Sequence, residues 1–332
     1  MNELYVVGGR QRRGTDVERV REWHHYGCAV ILRLDLRSGS GAVEVEYQSP
    51  PEVCPADRPS FVFKAGSLDG DTLHVCTQTE LLAYTVPTFQ RTRYVSLPCL
   101  NDVHFVGPGD DGAMLVANTG LDMVLEVSAE GTVLREWAVT EEEPWSRFSR
   151  HVDYRKVPST KPHISHPNHV FRLGESIWAT RCHQGDAVCL TGPGRIERIA
   201  DTYIHDGLLR DGVLYFTSVD GFVITVDPAS HRIISRVDLN AIARPGHPLG
   251  WCRGIALLDE RHVAVGFSRL RATRWKESVR WFRDRVTGSD AQRPLATRVV
   301  VFDLVSQSVV GEYPVEANGV NAIFSLHVAA PS

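Results

Sequence analysis

Residues 101–139, NDVHFVGPGDDGAMLVANTGLDMVLEVSAEGTVLREWAV, decide the architecture. Four short apolar runs, NDVHFV, AMLVANT, DMVLEVS and TVLREWAV, are separated by a GPGDDG turn, a Gly-Leu joint and an AEG turn. Val, Phe and Trp suit a pleated, half-buried surface, and Gly, Pro and Asp at the joints supply the backbone angles of tight turns. Four strands in about 40 residues is the size of one propeller blade.

The same order recurs along the chain. Residues 60–97 read SFVFKA, TLHVCTQ, LLAYTV, TRYVSL, and residues 168–200 read NHVFRL, SIWATRC, DAVCLT, RIERIA. Residues 205–239 read HDGLLR, VLYFTSV, FVITVD, RIISRVDL, and residues 252–315 read CRGIALL, HVAVGFS, RVVVFDL, VVGEYPV. The sixth copy is split: VNAIFSLHV comes from the C-terminal end, and ELYVVGG, CAVILRLDL and AVEVEYQ from the N-terminal end. Pairing that last strand with the first three closes a ring and removes the edges an open array would expose. The expectation is an all-β, six-bladed β-propeller occupying residues 1–332 as a single domain.

Composition narrows the function. The 332 residues carry 36 Lys+Arg against 40 Asp+Glu, a formal charge of −4, without the basic excess that a general nucleic-acid or anionic-membrane surface needs. A content of 43% apolar and 23% charged residues is that of a folded globular chain. No stretch approaches the roughly 20 apolar residues of a membrane span, and the apolar run near the N-terminus is too short for a signal peptide. The seven cysteines are odd in number and lack CxxC spacing, so they read as buried thiols in a reducing compartment, and a cytoplasmic protein is expected.

Three insertions stand out, at about 8–27, 140–166 and 268–297. In a propeller, the connections between blades and those between second and third strands share the face on which the innermost strands begin, so all three fall on one face. Long loops gathered on one face of a rigid scaffold commonly form a binding site or its lid. They are expected to be partly helical: Thr15 and Glu18 have capping-box spacing, and Trp275, Val279 and Phe282 have helical spacing.

The same face collects polar strand ends: Asn101-Asp102, His166 to His169, His205-Asp206, Arg253 and Asn321, with Asn118, Arg181, His183 and Arg269 on second strands. One chemistry for such a set is a divalent metal ion on the imidazoles of His166, His169 and His183. Another is acid/base catalysis, in which His205 moves a proton, Asp206 or Asp102 orients an imidazole, and Arg253 holds an anion. Asn101, Asn118, Asn168, Arg181, Arg269 and Asn321 would bind substrate. No GxxxxGK[ST], GxGxxG after a strand or GxSxG occurs, so a nucleotide cofactor and α/β-hydrolase chemistry are not expected.

The segments CLNDVHFV, ISHPNHVFR, IHDGLLRDGVLYF, GWCRGIALLDERHVAVGFSRLR and VVVFDLVSQSVVGEYPVEANGVNAIFSLHV resemble a family of bacterial propeller proteins of unknown function, over roughly residues 60–330. This chain departs from that family where Asn101 stands in place of a His and His169 in place of a Gly. More distantly, HPNHV and HDGLL resemble the strand starts of gluconolactonase-type propellers, and that likeness implies a divalent metal in the channel. Together these observations lead to an expected enzyme of small-molecule metabolism, acting on a small polar or anionic molecule by hydrolysis, elimination, isomerisation or cyclisation. The alternative is a non-catalytic propeller that binds a ligand or protein through the same face, with Trp145, Phe148, Trp275 and Trp281 as contacts.

Overall fold

The computed structural model describes residues 3–12, 25–57, 59–245, 247–270 and 295–330. Middle strands of each repeat are apolar at nearly every position because both of their faces are covered. In β1 (Glu3–Gln11), Leu4 and Val6 face one neighbouring blade while Tyr5 and Val7 face the other. The side-chain period of two thus loads two different cores from one strand. Outermost strands have one wet face, and β3 (Gly41–Tyr47) is correspondingly exposed or half-buried throughout.

Six four-stranded antiparallel sheets form the ring. The first joins β1, β2 (Tyr26–Asp35) and β3 to the last strand of the chain, β24 (Ala322–Val328), in the order β24-β1-β2-β3. Blade 2 holds β4 (Ser67–Asp69), β5 (Thr72–Cys76), β6 (Leu81–Thr85) and β7 (Gln90–Val95). Blade 3 holds β8 (Phe105–Pro108), β9 (Met114–Asn118), β10 (Met123–Val127) and β11 (Val133–Ala138). Blade 4 is β12 (Pro167–Leu173), β13 (Ser176–Arg181), β14 (Asp186–Cys189) and β15 (Arg195–Ile196). Blade 5 is β16 (Ile204–Arg210), β17 (Val213–Ser218), β18 (Phe222–Asp227) and β19 (Arg232–Asp238). Blade 6 is β20 (Trp251–Leu257), β21 (His262–Ser268), β22 (Arg298–Asp303) and β23 (Ser308–Pro314). The main apolar clusters lie between adjacent blades, such as Phe171, Trp178, Phe216 and Ile224 between blades 4 and 5.

The six-bladed all-β expectation holds, including closure by the C-terminal strand. One part of it needs correction: the 140–166 insertion is not helical beyond a 3-10 turn at Tyr154–Lys156. The short α-helix that is present, α1 (Leu239–Ala243), instead joins blades 5 and 6, where Asp238 caps it through Asn240 N and Ala241 N. The capping box at Thr15 and Glu18, the helical stretch at 272–286, and Trp275 and Trp281 lie outside the described residues. Among the described residues, no helix is long and apolar enough to cross a membrane. All seven cysteines are free thiols, and Cys54, Cys76, Cys182 and Cys252 are buried.

Ring closure depends on a close backbone approach at Gly8, where a Cβ would fall 1.8 Å from Ala322 O. Gly8→Ala is therefore expected to destabilise the protein by about 2 kcal/mol. Gly192→Ala, whose Cβ would meet nothing nearer than Cys189 Sγ at 3.9 Å, is expected to be near neutral. Urea unfolding of the two variants checks this, and equal midpoints would mean that β24 does not close the ring in this register.

Candidate functional site

In four of the six blades the innermost strand breaks register within its first four residues. In blade 4, Pro167 pairs with Arg181 and His169 with Thr180, leaving Asn168 unopposed. Gly207 is unopposed in blade 5 and Phe324 in blade 1, and Arg253 and Gly254 bulge in blade 6. In blades 2 and 3, Lys64 N and His104 N keep single backbone bonds, to Cys76 O and Ala117 O, ahead of the regular strands. Bulges re-aim side chains, and here they bring polar groups from several blades into contact around the axis.

The cluster nearest the face where these strands begin is centred on Asp102. Lys64 Nζ donates to Asp102 Oδ1, and His104 Nε2 lies 3.4 Å from the same oxygen. His163 Nε2 is 4.0 Å from Asp102 Oδ2, and His163 Nδ1 is 2.8 Å from His166 Nδ1. The His166 ring meets His104 edge-on at 4.5 Å and stacks on His183 at 5.2 Å. One ligand atom each from Asp102, His163 and His166 lie within 4.8 Å of one another.

Two buried polar residues hold the 140–166 insertion over this cluster. Asp122 accepts from the backbone N–H of Ile164, Ser165 and His166 at 2.8–3.0 Å and from Arg147 Nη1 at 2.8 Å. Asn101 donates to Tyr154 O and Val157 O and accepts from Thr160 Oγ1. Asp102, Asp122 and His166 have φ of 48°, 51° and 59°, a left-handed conformation that non-glycine residues keep only when their surroundings impose it.

Burial alone would raise the Asp102 carboxyl, but the Lys64 ammonium and then His104 outweigh it and hold the group well below its ordinary range. Burial pushes His104 down to about 3, with Lys64 adding to the effect. His166 is held well below its ordinary value by burial first and by His104 and His163 next, and His163 is lowered by burial. At neutral pH the cluster therefore presents neutral imidazoles with available lone pairs beside a carboxylate.

Further along the axis, Asn168 Nδ2 donates to Ile204 O and to His205 Nδ1 at 2.8 Å. That leaves the proton of neutral His205 on Nε2, which is buried and has no hydrogen-bond partner among the described residues. His205 is lowered by burial and then by Arg253, His104 and His169, which stand on three other blades, so its ring faces the axis. The Arg253 guanidinium sits 3.5 Å above the Phe324 ring, and its Nε donates to Ile323 O.

At the far end is a cavity of about 430 Å³, reaching the face on which the innermost strands end. All six blades line it, with His169, Asp206, Ser325 and His327 at its inner end and Leu68, Pro108, Leu257 and Val328 toward its rim.

The structure thus brings His166 and Asp102 together and leaves His169 and His183 outside that group: His169 lies on Phe105 at 4.0 Å, and His183 is exposed. Asp206 lines the opposite cavity, away from Asp102. Asn118 binds Asn101 N and Cys99 O, Arg181 pairs with Asp186, Arg269 pairs with Glu316, and Asn321 Oδ1 accepts from Gln11 N. Those four, like Asn101 and Asn168, engage the protein's own chain. Trp145 and Phe148 pack half-buried against the core between blades 2 and 3.

His163, Lys64 and His104 were not among the residues expected at the site. Two sequence signals pointed to them: the His-x-x-His spacing of HISH, and a lysine inside the apolar run SFVFKA.

No family model and no curated protein matches the sequence. Many solved structures share the fold. A protein of unknown function from Bacteroides caccae aligns with a TM-score of 0.61 over 98% of each chain at 13% identity. A chain of a mitotic checkpoint complex aligns with a TM-score of 0.48 at 8% identity, over 91% of this chain and 77% of that one. At such identities the likeness is one of fold alone.

The electrostatics predict acid sensitivity. Burial holds His169 at about 3 and His327 at about 4, against about 6.5 in an unfolded chain. Between those values the unfolded state binds more protons, so stability is full above about pH 6.5 and falls on acidification, by at most about 1.4 kcal/mol per pH unit for each histidine. The other lowered imidazoles act in the same direction. Asp206, raised to about 6 by burial, acts in the opposite one, because its folded form takes up a proton first. Melting temperature is expected to fall from pH 7 to 4.5, and less steeply in a His169→Gln/His327→Gln double variant; an identical profile for that variant would refute the assignment.

Proposed function

We propose that Asp102, His163 and His166 hold a divalent cation, and that the protein is an enzyme acting on a small polar or anionic molecule at this end of the channel. The observation that carries the reading is the 2.8 Å approach of the His163 and His166 Nδ1 atoms, with a carboxylate in the same group. Two imidazole nitrogens on one tetrahedral ion at about 2.1 Å stand about 3.4 Å apart, so these two nitrogens need to part by only about 0.6 Å to share one. Neutral imidazoles and a carboxylate form a donor set suited to Zn and neighbouring ions.

A cation there would act as a Lewis acid on a substrate oxygen. Asp102 would keep one oxygen on Lys64 and offer the other. The His205 Nε2–H and the Arg253 charge would hold an anionic group or a developing oxyanion. That arrangement suits hydrolysis, elimination, isomerisation or cyclisation without electron transfer. The likeness of HPNHV to gluconolactonase-type strand starts is in keeping with a channel metal, and the free thiols with a cytoplasmic setting.

Elemental analysis of untagged protein is expected to find close to one divalent ion per chain, and calorimetry on chelated protein to find micromolar or tighter zinc binding. His163→Ala and Asp102→Asn should each weaken that binding at least tenfold. Wild-type protein that binds no divalent ion would end the proposal. Stoichiometric iron that cycles between oxidation states would end its non-redox part.

A further inference from the structure

The cavity at the other end of the channel has a chemistry of its own. We infer that it is a second ligand site, taking a small amphipathic amine with its ammonium group on Asp206 and its apolar body along the channel wall. Asp206 is 9% exposed and borders the cavity. Both hydrogen bonds to its carboxylate, from Thr217 Oγ1 and from Gly254 N at 3.1 Å, go to Oδ2. Oδ1 receives none among the described residues and is not fully enclosed, so it is the carboxylate oxygen left open to the cavity.

The backbone is built to put the carboxylate there. Asp206 has φ of 66° and Gly207 φ of 153°, and a Cβ on Gly207 would lie 2.7 Å from Phe171 Cδ1. Thr180 Oγ1 fixes the turn by donating to Asp206 O at 2.8 Å.

Charge selects the head group. His169 and His327 are neutral at pH 7, and His327 Nε2 is within 2.9 Å of Ser325 Oγ. Arg172 and Arg210 line the cavity but pair with Asp110 and Asp211. Arg253 acts on Asp206 through space, more weakly than either hydrogen bond. Asp206 is therefore the unbalanced charge of the chamber, and an ammonium group is its complement. The remaining wall, including Leu68, Phe171, Leu208 and Leu257, is apolar, and about 430 Å³ falls within the range of small-molecule sites. Phe105 and Phe171 offer aromatic surface to a cation entering the chamber.

The site does not depend on the proposed metal, and the test separates the two. Chelated protein is titrated with n-octylamine, n-octanol and octanoate by calorimetry and ligand-observed NMR. The amine is expected to bind at least tenfold tighter than the alcohol, with octanoate weakest. Asp206→Asn, which retains an acceptor for Thr217 and Gly254, should reduce the amine to the alcohol's affinity. Leu257→Trp should exclude both by filling the chamber from blade 6, and it serves as a second variant if the first does not fold. Equal binding of the three probes, amine binding that survives Leu257→Trp, or amine binding that appears only when divalent metal is restored would each overturn the inference.

Discussion

The polar chemistry of this molecule depends on one constraint, the interruption of the innermost strands near their starts. A regular strand between two blades directs its side chains alternately into one apolar core and the other, as β1 does. A strand of that kind has no position left for a group on the axis. The unopposed residues Asn168, Gly207, Arg253, Gly254 and Phe324 release the strands from that alternation. The left-handed angle at Asp206 accompanies the break beside it, and those at Asp102 and His166 fall just ahead of the innermost strands β8 and β12. Axial side chains are therefore held by the covalent course of the backbone, which is a stiffer support than rotamer choice alone.

Burial then decides what those side chains are at neutral pH. Imidazoles buried in the channel lose their protons, so His104, His166, His169, His205 and His327 act as acceptors or ligands and not as cations. Carboxylates respond according to their neighbours. Asp102 has Lys64 beside it and is held well below the usual carboxylate range, whereas Asp206 has hydroxyl and amide donors and is raised by burial to about 6. Two aspartates one blade-layer apart thus have opposite electrostatic characters, which is why the ends of the channel favour different ligands.

The fold was legible in the sequence because a blade is a local object. Four apolar runs and their turns lie within one short stretch, and the doubly covered middle strands are continuous in hydrophobicity. The site was legible only in outline. Polar residues at strand starts included Asp102 and His166, which stand in one cluster, while His205 and Arg253 lie further along the axis. The partners came from elsewhere. His163 reaches Asp102 because Asp122 and Asn101 fold an irregular insertion back across the mouth, and no periodicity encodes such a path. Lys64 pairs with Asp102 across a blade boundary, a contact set by ring geometry and invisible to local pattern. The lower chamber was missed as a separate place because its rim is largely apolar: Leu and Val at strand ends look the same whether they pack against protein or border a cavity.

Phe324, Ser325 and His327 belong to β24, the strand that meets β1 from the opposite end of the chain. The same strand that fastens the ring thus supplies one wall of both the upper layer and the lower chamber. Any opening that frees β24 dissolves those walls together, so a molecule seated against them is a latch on the ring. Its binding free energy adds to the work needed to unfasten the closure, growing with the logarithm of its concentration over its dissociation constant. Occupancy of the channel would accordingly register as resistance to proteolysis at the chain ends, far from the bound molecule, because the ends are the hasp.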